Sequence, residues 1–115
     1  MLVLRDKGIL LHIIAHCKRI EEKIKYVKTV EEFNMNEDVK EIVCFNIMQI
    51  GELAKKLSDD FIKQNGDIPW KKIKGMREHV VHGYGTIDLN IVWFTATNDI
   101  ASLRDCCEKI IAENN

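Results

Sequence analysis

The chain has 115 residues, of which 46% are hydrophobic and 30% charged, with a formal net charge of -1. That size suits one domain over residues 1–115, and the composition excludes intrinsic disorder, because enough apolar surface is available to offset ordering entropy. No apolar run approaches the roughly 20 residues of a membrane-spanning helix, and near-neutrality excludes a uniformly basic nucleic-acid coat.

The start, Met-Leu-Val-Leu-Arg-Asp, lacks the basic, apolar and small-residue regions of a secretory signal. Cys17 and Cys44 are isolated, and Cys106 and Cys107 are adjacent. Adjacent cysteines bridge each other only under strain, and no spacing matches a zinc knuckle. Reduced thiols used as small core residues, in a cytoplasmic protein, are the expectation.

Apolar residues recur at helical spacing along most of the chain, and Pro69 is the single proline. Leu10, Ile13, Cys17, Ile20, Ile24 and Val27 form a stripe down a first helix from about Arg5 to Val27. His12, His16, Arg19 and Lys23 form a second stripe on that helix. Two histidines four apart are a metal-binding spacing, but no glutamate completes a His-Glu-x-x-His pattern and no third ligand is evident, so no metal is expected. A solvated basic face is the simpler reading, with RNA contact as the alternative.

Thr29, with Glu32 three positions later, reads as a capping box opening a short helical turn. Asn36 is a second N-cap, with Glu37 and Asp38 where the helix dipole favours negative charge. The helix it opens runs to about Leu57 and is apolar on several sides, so it should sit centrally. Ser58 caps a brief turn ending near Asn65-Gly66.

Asp67-Ile68-Pro69-Trp70 starts a third long helix, which should reach about His82 and stop at Gly83. The last helix, from about Asp88 to Ala112, carries Leu89, Trp93, Ala96, Ile100, Leu103, Cys107 and Ile110 at heptad-like spacing. Short connections favour antiparallel neighbours, and no period-two strand is evident. The expected fold is all-α: an antiparallel bundle of four main helices plus one or two short ones.

The run Met76-Arg77-Glu78-His79-Val80-Val81-His82-Gly83-Tyr84-Gly85 gathers a guanidinium, imidazoles and a phenol at a helix end. Arg77 and His82, five apart, lie about 140° apart and ~7.5 Å along an ideal axis, so a long arginine can lean towards the last turn. The carbonyl end of a helix favours a protonated imidazole at His82. Such a pair suits a phosphodiester: the arginine stabilises charge on phosphate oxygens, and the histidine moves a proton. RNA carries its own nucleophile, the 2′-OH, so this chemistry needs no metal. The plain alternative is a surface arginine and a histidine interacting with the helix dipole.

The stretch resembles the Arg-x-x-x-x-His-x-Tyr motif of HepT-like toxins in the HEPN superfamily, with Arg77, His82 and Tyr84 in register. Ile50-Gly51-Glu52-Leu53-Ala54-Lys55, Ile68-Pro69-Trp70, Gly75-Met76-Arg77 and Asp88-Leu89-Asn90-Ile91-Val92-Trp93 extend the likeness over most of the chain. The resemblance implies a HEPN-like helical homodimer whose two motifs face one another across a cleft. It implies a metal-independent endoribonuclease without cofactor, the toxin of a type VII-like toxin–antitoxin pair. Arg77 and His82 would be catalytic. Tyr84 would help form the site and accept AMP from an MntA-like nucleotidyltransferase antitoxin, adding charge and bulk where RNA docks. Many relatives have an asparagine after the motif arginine and an aromatic after the tyrosine; this chain has Glu78 and Gly85, which bears on substrate approach.

His79, three before His82, orients His82 or touches RNA, or else has a plain surface or packing role. Lys71, Lys72, Lys74 and Arg77 against Glu78 leave a local excess of +3 (four cations minus one anion) that would guide a polyanion, or else are solvated lysines. Asn46, Gln49 and Glu52 interrupt the second helix at steps of three. They face either an intramolecular hydrogen-bond network or the dimer cleft, where Glu52 would pair with Arg77 of either protomer. Phe45, Met48, Trp93 and Phe94 are expected in core or dimer packing. A reading from another class is a non-catalytic helical module bound and modified by the nucleotidyltransferase.

Overall fold

The computed structural model describes residues 2–81 and 89–114, apart from the side chains of His79 and Val81. The described residues are almost entirely helical: α1 (Leu4–Ile24), α2 (Val30–Met35), α3 (Glu37–Lys55), α4 (Asp59–Gln64), α5 (Trp70–Val81), α6 (Leu89–Phe94), a π-helical turn (Thr95–Asp99) and α7 (Ile100–Glu113). This is the expected all-α bundle, with α1, α3, α5 and the α6–α7 rod as its main members.

Local chemistry sets the starts. Thr29 Oγ1 accepts from the backbone N–H of Glu32 at 3.1 Å, Asn36 Oδ1 from Val39 at 3.1 Å and Ser58 Oγ from Phe61 at 3.2 Å. Each satisfies a donor that the first turn leaves without an intrahelical partner. Glu32 reaches back one residue further than a capping box requires, to the N–H of Lys28 at 3.1 Å.

α1 packs against both α3 and α7, and α3 also packs against α5. Their shared core includes Leu10, Ile13, Cys17 and Ile20 from α1, Val43, Ile47 and Ile50 from α3, Ile73 and Val80 from α5, and Leu103 and Cys107 from α7. Long-range pairs show that α1 and α3 are antiparallel. Asp6, at the start of α1, accepts from Ser58 beyond the end of α3, and His16 further along α1 meets Asn46 nearer the start of α3. Arg104 of α7 bonds both Glu21 of α1, at 2.6 Å, and Glu108, at 2.5 Å. These paired carboxylates hold its guanidinium protonated well above the usual range.

The last helix departs from the expected continuous rod. At Thr95–Asp99 it widens into one π-helical turn, where Thr97 Oγ1 donates to Trp93 O at 2.8 Å and Asn98 Nδ2 to Phe94 O at 3.2 Å. These bonds supply donors to carbonyls at the change in helical pitch. The turn lets α6 lean on α2, with Phe33 and Trp93 rings 5.4 Å apart, while α7 stays on α1.

All four cysteines are free; Cys17, Cys44 and Cys107 are buried, as expected of thiols used as core residues, and Cys106 is half-buried. Burial raises all three buried thiols, with Cys107 pushed up to about 12 by burial first and then by Cys106 and Glu108. Phe45 and Phe94 do not enter the core, each being 56% exposed, because they lie on the outward faces of α3 and α6. Among the described residues no helix is long and apolar enough to cross a membrane.

Candidate active site

Arg77 sits in the last described turn of α5, and its position is set by a glycine on another helix. A Cβ built on Gly51 of α3 would lie 2.9 Å from Arg77 Cβ, 3.4 Å from Arg77 N and 3.5 Å from Lys74 O. The absence of a side chain at Gly51 is therefore what lets the α3 and α5 backbones approach at this level. The neighbouring Glu52 then reaches Arg77, its Oε1 pairing with the guanidinium Nε, while Glu78 Oε1 takes Nη1 at 3.2 Å.

Lys55 Nζ stands 3.6 Å from the same Glu52 oxygen. The Arg77 side chain is only 29% exposed, whereas Glu52 and Glu78 are nearly half-exposed. Pairs so wetted add little stability, of order 0–1 kcal/mol. Their effect is on placement: Glu78 accepts a hydrogen bond from Nη1 and Glu52 lies in ionic contact with Nε, leaving the remaining N–H donors of the planar fork to match the oxygens of a phosphate.

The expected pairing of Glu52 with Arg77 is thus formed within one chain. His82 and Tyr84, with Gly83 and Gly85, lie outside the described residues, as does the His79 side chain. The local cationic excess of α5 is partly neutralised, since Lys72 pairs with Asp99 at 3.1 Å and Arg77 holds two carboxylates. Lys71 remains exposed, and Lys74 is half-buried.

On α1, His16 is not simply part of a solvated face. Its Nδ1 lies 2.7 Å from Oδ1 of the buried Asn46, whose Nδ2 donates to Ile42 O at 2.7 Å. Asn46 therefore belongs to an intramolecular network, and Glu52, two steps of three along α3, turns to Arg77. Sequence reasoning missed Gly51 as a site-forming residue; a glycine interrupting a strongly apolar helix was the available signal. Among the described residues, no group of three His, Cys, Asp or Glu side chains is placed to hold a metal ion.

Residues 13–110 match the model of the family described as "Ribonuclease HepT-like". The chain is 28% identical over 105 residues to a "Probable ribonuclease HepT" of Thermococcus cleftensis, covering 84% of this chain and 96% of the relative. It is 33% identical over 96 residues to a "Putative RNase" of Methanocaldococcus jannaschii, covering 82% of this chain and 79% of that protein. A "Putative RNase" of Caldanaerobacter subterraneus is 28% identical over 100 residues, covering 87% of this chain and 88% of its own length. No solved structure matches the chain.

Proposed function

This chain belongs to the HepT-like ribonuclease family, and from that premise we propose that it is a metal-independent endoribonuclease acting on RNA as one unit over residues 1–115. The observation that carries the reading is the seating of Arg77. Gly51 admits α5, and Glu52 and Glu78 aim the guanidinium, at the first position of the Arg77-x-x-x-x-His82-x-Tyr84 motif.

Arg77 binds the non-bridging oxygens of the scissile phosphate and offsets the charge that grows there. His82 serves as general base or acid. The ribose 2′-oxygen loses its proton and forms a bond to phosphorus, and the bond to the departing 5′-oxygen breaks as that oxygen takes up a proton. The products are a 2′,3′-cyclic phosphate and a 5′-hydroxyl. Two motifs from a homodimer line the cleft, and the outward Phe45 and Phe94, with Ile91 at 40% exposure, supply apolar surface for such an interface.

In a cytoplasmic toxin–antitoxin pair, an MntA-like nucleotidyltransferase antitoxin adds AMP to Tyr84 and blocks the cleft with charge and bulk.

The test is cleavage of RNA by the purified protein in EDTA, beside His82→Ala and Arg77→Ala variants of equal helicity. Cleavage by the wild type alone supports the assignment, and a 2′-deoxy substitution at the cut position abolishes it. Equal cleavage by all three exposes contamination. No cleavage by any, after removal of AMP from Tyr84, transfers the assignment to a non-catalytic module modified by the nucleotidyltransferase.

A further inference from the structure

Glu52 is shared by two cations from two helices. Its Oε1 pairs with Arg77 Nε across the α3–α5 seam, and Lys55 Nζ, one turn further along α3, stands 3.6 Å from the same oxygen. That oxygen is buried and takes no hydrogen bond from either group, so both contacts are ionic. The common partner places the ammonium within about 6 Å of the guanidinium Nε, a gap that two oxygens of one phosphate bridge when each accepts at about 2.8 Å.

Lys55 is held more loosely than lysines in the same helical register. Lys25 and Lys40 close on the carboxylates three residues before them, at 2.9 and 2.7 Å, whereas Lys55 stays 3.6 Å from its own. At that distance the ammonium makes no hydrogen bond, and among the described residues it has no other partner. Its three rotatable donors, on a flexible stem, are open to an incoming anion.

The charge around Arg77 calls for such a cation. Glu52 and Glu78 set two carboxylates against one guanidinium. A phosphodiester adds a negative charge, and more develops on its non-bridging oxygens as the 2′-oxygen bonds to phosphorus. Without Lys55 the three side chains would carry a net -1 (one cation against two anions) and would repel the phosphate they are to hold. With Lys55 the group is neutral, and two cations are placed to take up the growing charge.

We propose that Lys55 is the second cation of the Arg77 site and contacts the scissile phosphodiester of RNA from the α3 side, as one jaw of a clamp whose other jaw is the guanidinium. The substrate class rests on the ribonuclease reading above; the clamp itself rests on the oxygen that both cations already share.

The test is fluorescence anisotropy with a labelled, uncleavable 2′-O-methyl oligoribonucleotide over a salt series, beside cleavage of the matching all-ribose strand. Lys55→Gln keeps a good helix former at an exposed position, so folding is preserved. It weakens binding about three- to tenfold and lowers the slope of log affinity against log salt by about 0.7, the share of one single-strand phosphate contact. Lys55→Arg restores both. Lys56→Gln removes the same charge from the next exposed residue, about 100° round the helix, and leaves affinity and slope at the wild-type level. In a Glu52→Gln background Lys55→Gln still costs the same factor, because the lysine acts on the phosphate and not by screening Glu52.

Unchanged affinity and slope in Lys55→Gln overturn the clamp, as does failure of the wild type to bind. Equal losses in Lys55→Gln and Lys56→Gln, or a Lys55 effect that vanishes with Glu52→Gln, also overturn it. Cleavage by a wild type indifferent to Lys55→Gln removes the clamp and keeps the ribonuclease reading. Binding that depends on Lys55 without any cleavage sinks that reading and keeps the clamp.

Discussion

Gly51 and Arg77 meet with no room for a methyl group between them: a Cβ on the glycine would stand 2.9 Å from the arginine Cβ. Arg77 Cβ is bonded directly to the backbone, so it cannot swing aside as a side-chain tip would. Gly51→Ala must push α3 and α5 apart. Alanine's better helix propensity returns at most about 1 kcal/mol, against about 1–3 kcal/mol for overpacking. A lower unfolding midpoint, with RNA cleavage reduced more than tenfold, is the expected result. A stabilised and fully active variant would show that the two helices have slack.

Glu52 acts on Arg77 rather than on the core, and its substitution should separate kinetics from stability. Glu52→Gln removes the charge opposite Nε while keeping the shape. Unfolding free energy should move by less than about 1 kcal/mol, since the pair is half-exposed. With the guanidinium less well aimed but less neutralised, kcat should fall about tenfold while KM does not rise. A rise in KM at constant kcat would instead make Glu52 a contact for substrate.

Asp6 has the opposite profile. It is 2% exposed and accepts from the N–H of Ser58 at 3.0 Å and from its hydroxyl at 2.6 Å. The same hydroxyl oxygen caps α4 by accepting from Phe61. Asp6→Ala strips two bonds to a buried carboxylate and leaves the half-buried Ser58 N–H without its partner, at a cost of about 1–3 kcal/mol. Urea unfolding measures that cost, and Asp6→Asn should recover part of it. Well below the unfolding transition, specific activity should stay at the wild-type level.

What could be read in advance follows how local each interaction is. The caps at Thr29, Asn36 and Ser58 close over three residues, so the sequence displays both partners together. The stripe of Leu10, Ile13, Cys17 and Ile20 needs only helical periodicity, and all four are buried. By contrast, His16 and Asn46 are 30 residues apart, and Asp6 and Ser58 are 52 apart. No pattern in one strip of sequence announces that a histidine on a basic stripe will dock on a buried amide. The π-helical turn was hidden for a related reason, because the apolar steps through Ala96 and Ile100 fit an ordinary helix nearly as well. Pairing of Glu52 with Arg77 was foreseeable from chemistry, whereas the glycine that permits it takes its meaning only from the helix opposite.

The buried thiols predict an alkaline limit to stability. Cys107 is pushed up to about 12 in the fold, from an ordinary 9.0, mainly by burial; Cys17 is raised further and Cys44 also upward. Because the folded values are raised, the stabilisation is intact below the unfolded value near 9 and is lost as pH climbs towards the folded one. In that interval each such thiol tilts stability downward by at most about 1.4 kcal/mol per pH unit. Unfolding free energies measured between pH 8 and 11 should fall steeply, and Cys107→Ala should have a shallower slope despite a lower value at pH 8. Equal slopes would assign the decline to other groups.

The widened turn at Thr95–Asp99 works as a phase adjuster between two halves of one rod. A π-turn amounts to one residue inserted into an α-helix, and one residue is worth about 100° of rotation. Deleting a single residue there would let the rod continue as plain α-helix, with α7 still seated on α1. The α6 half would then keep its present phase, with Trp93 still against Phe33. Inserting one further residue would instead turn α6 by about a quarter-circle and take Trp93 off Phe33, so a single deletion should be absorbed by the bundle and an insertion felt at the α2–α6 contact.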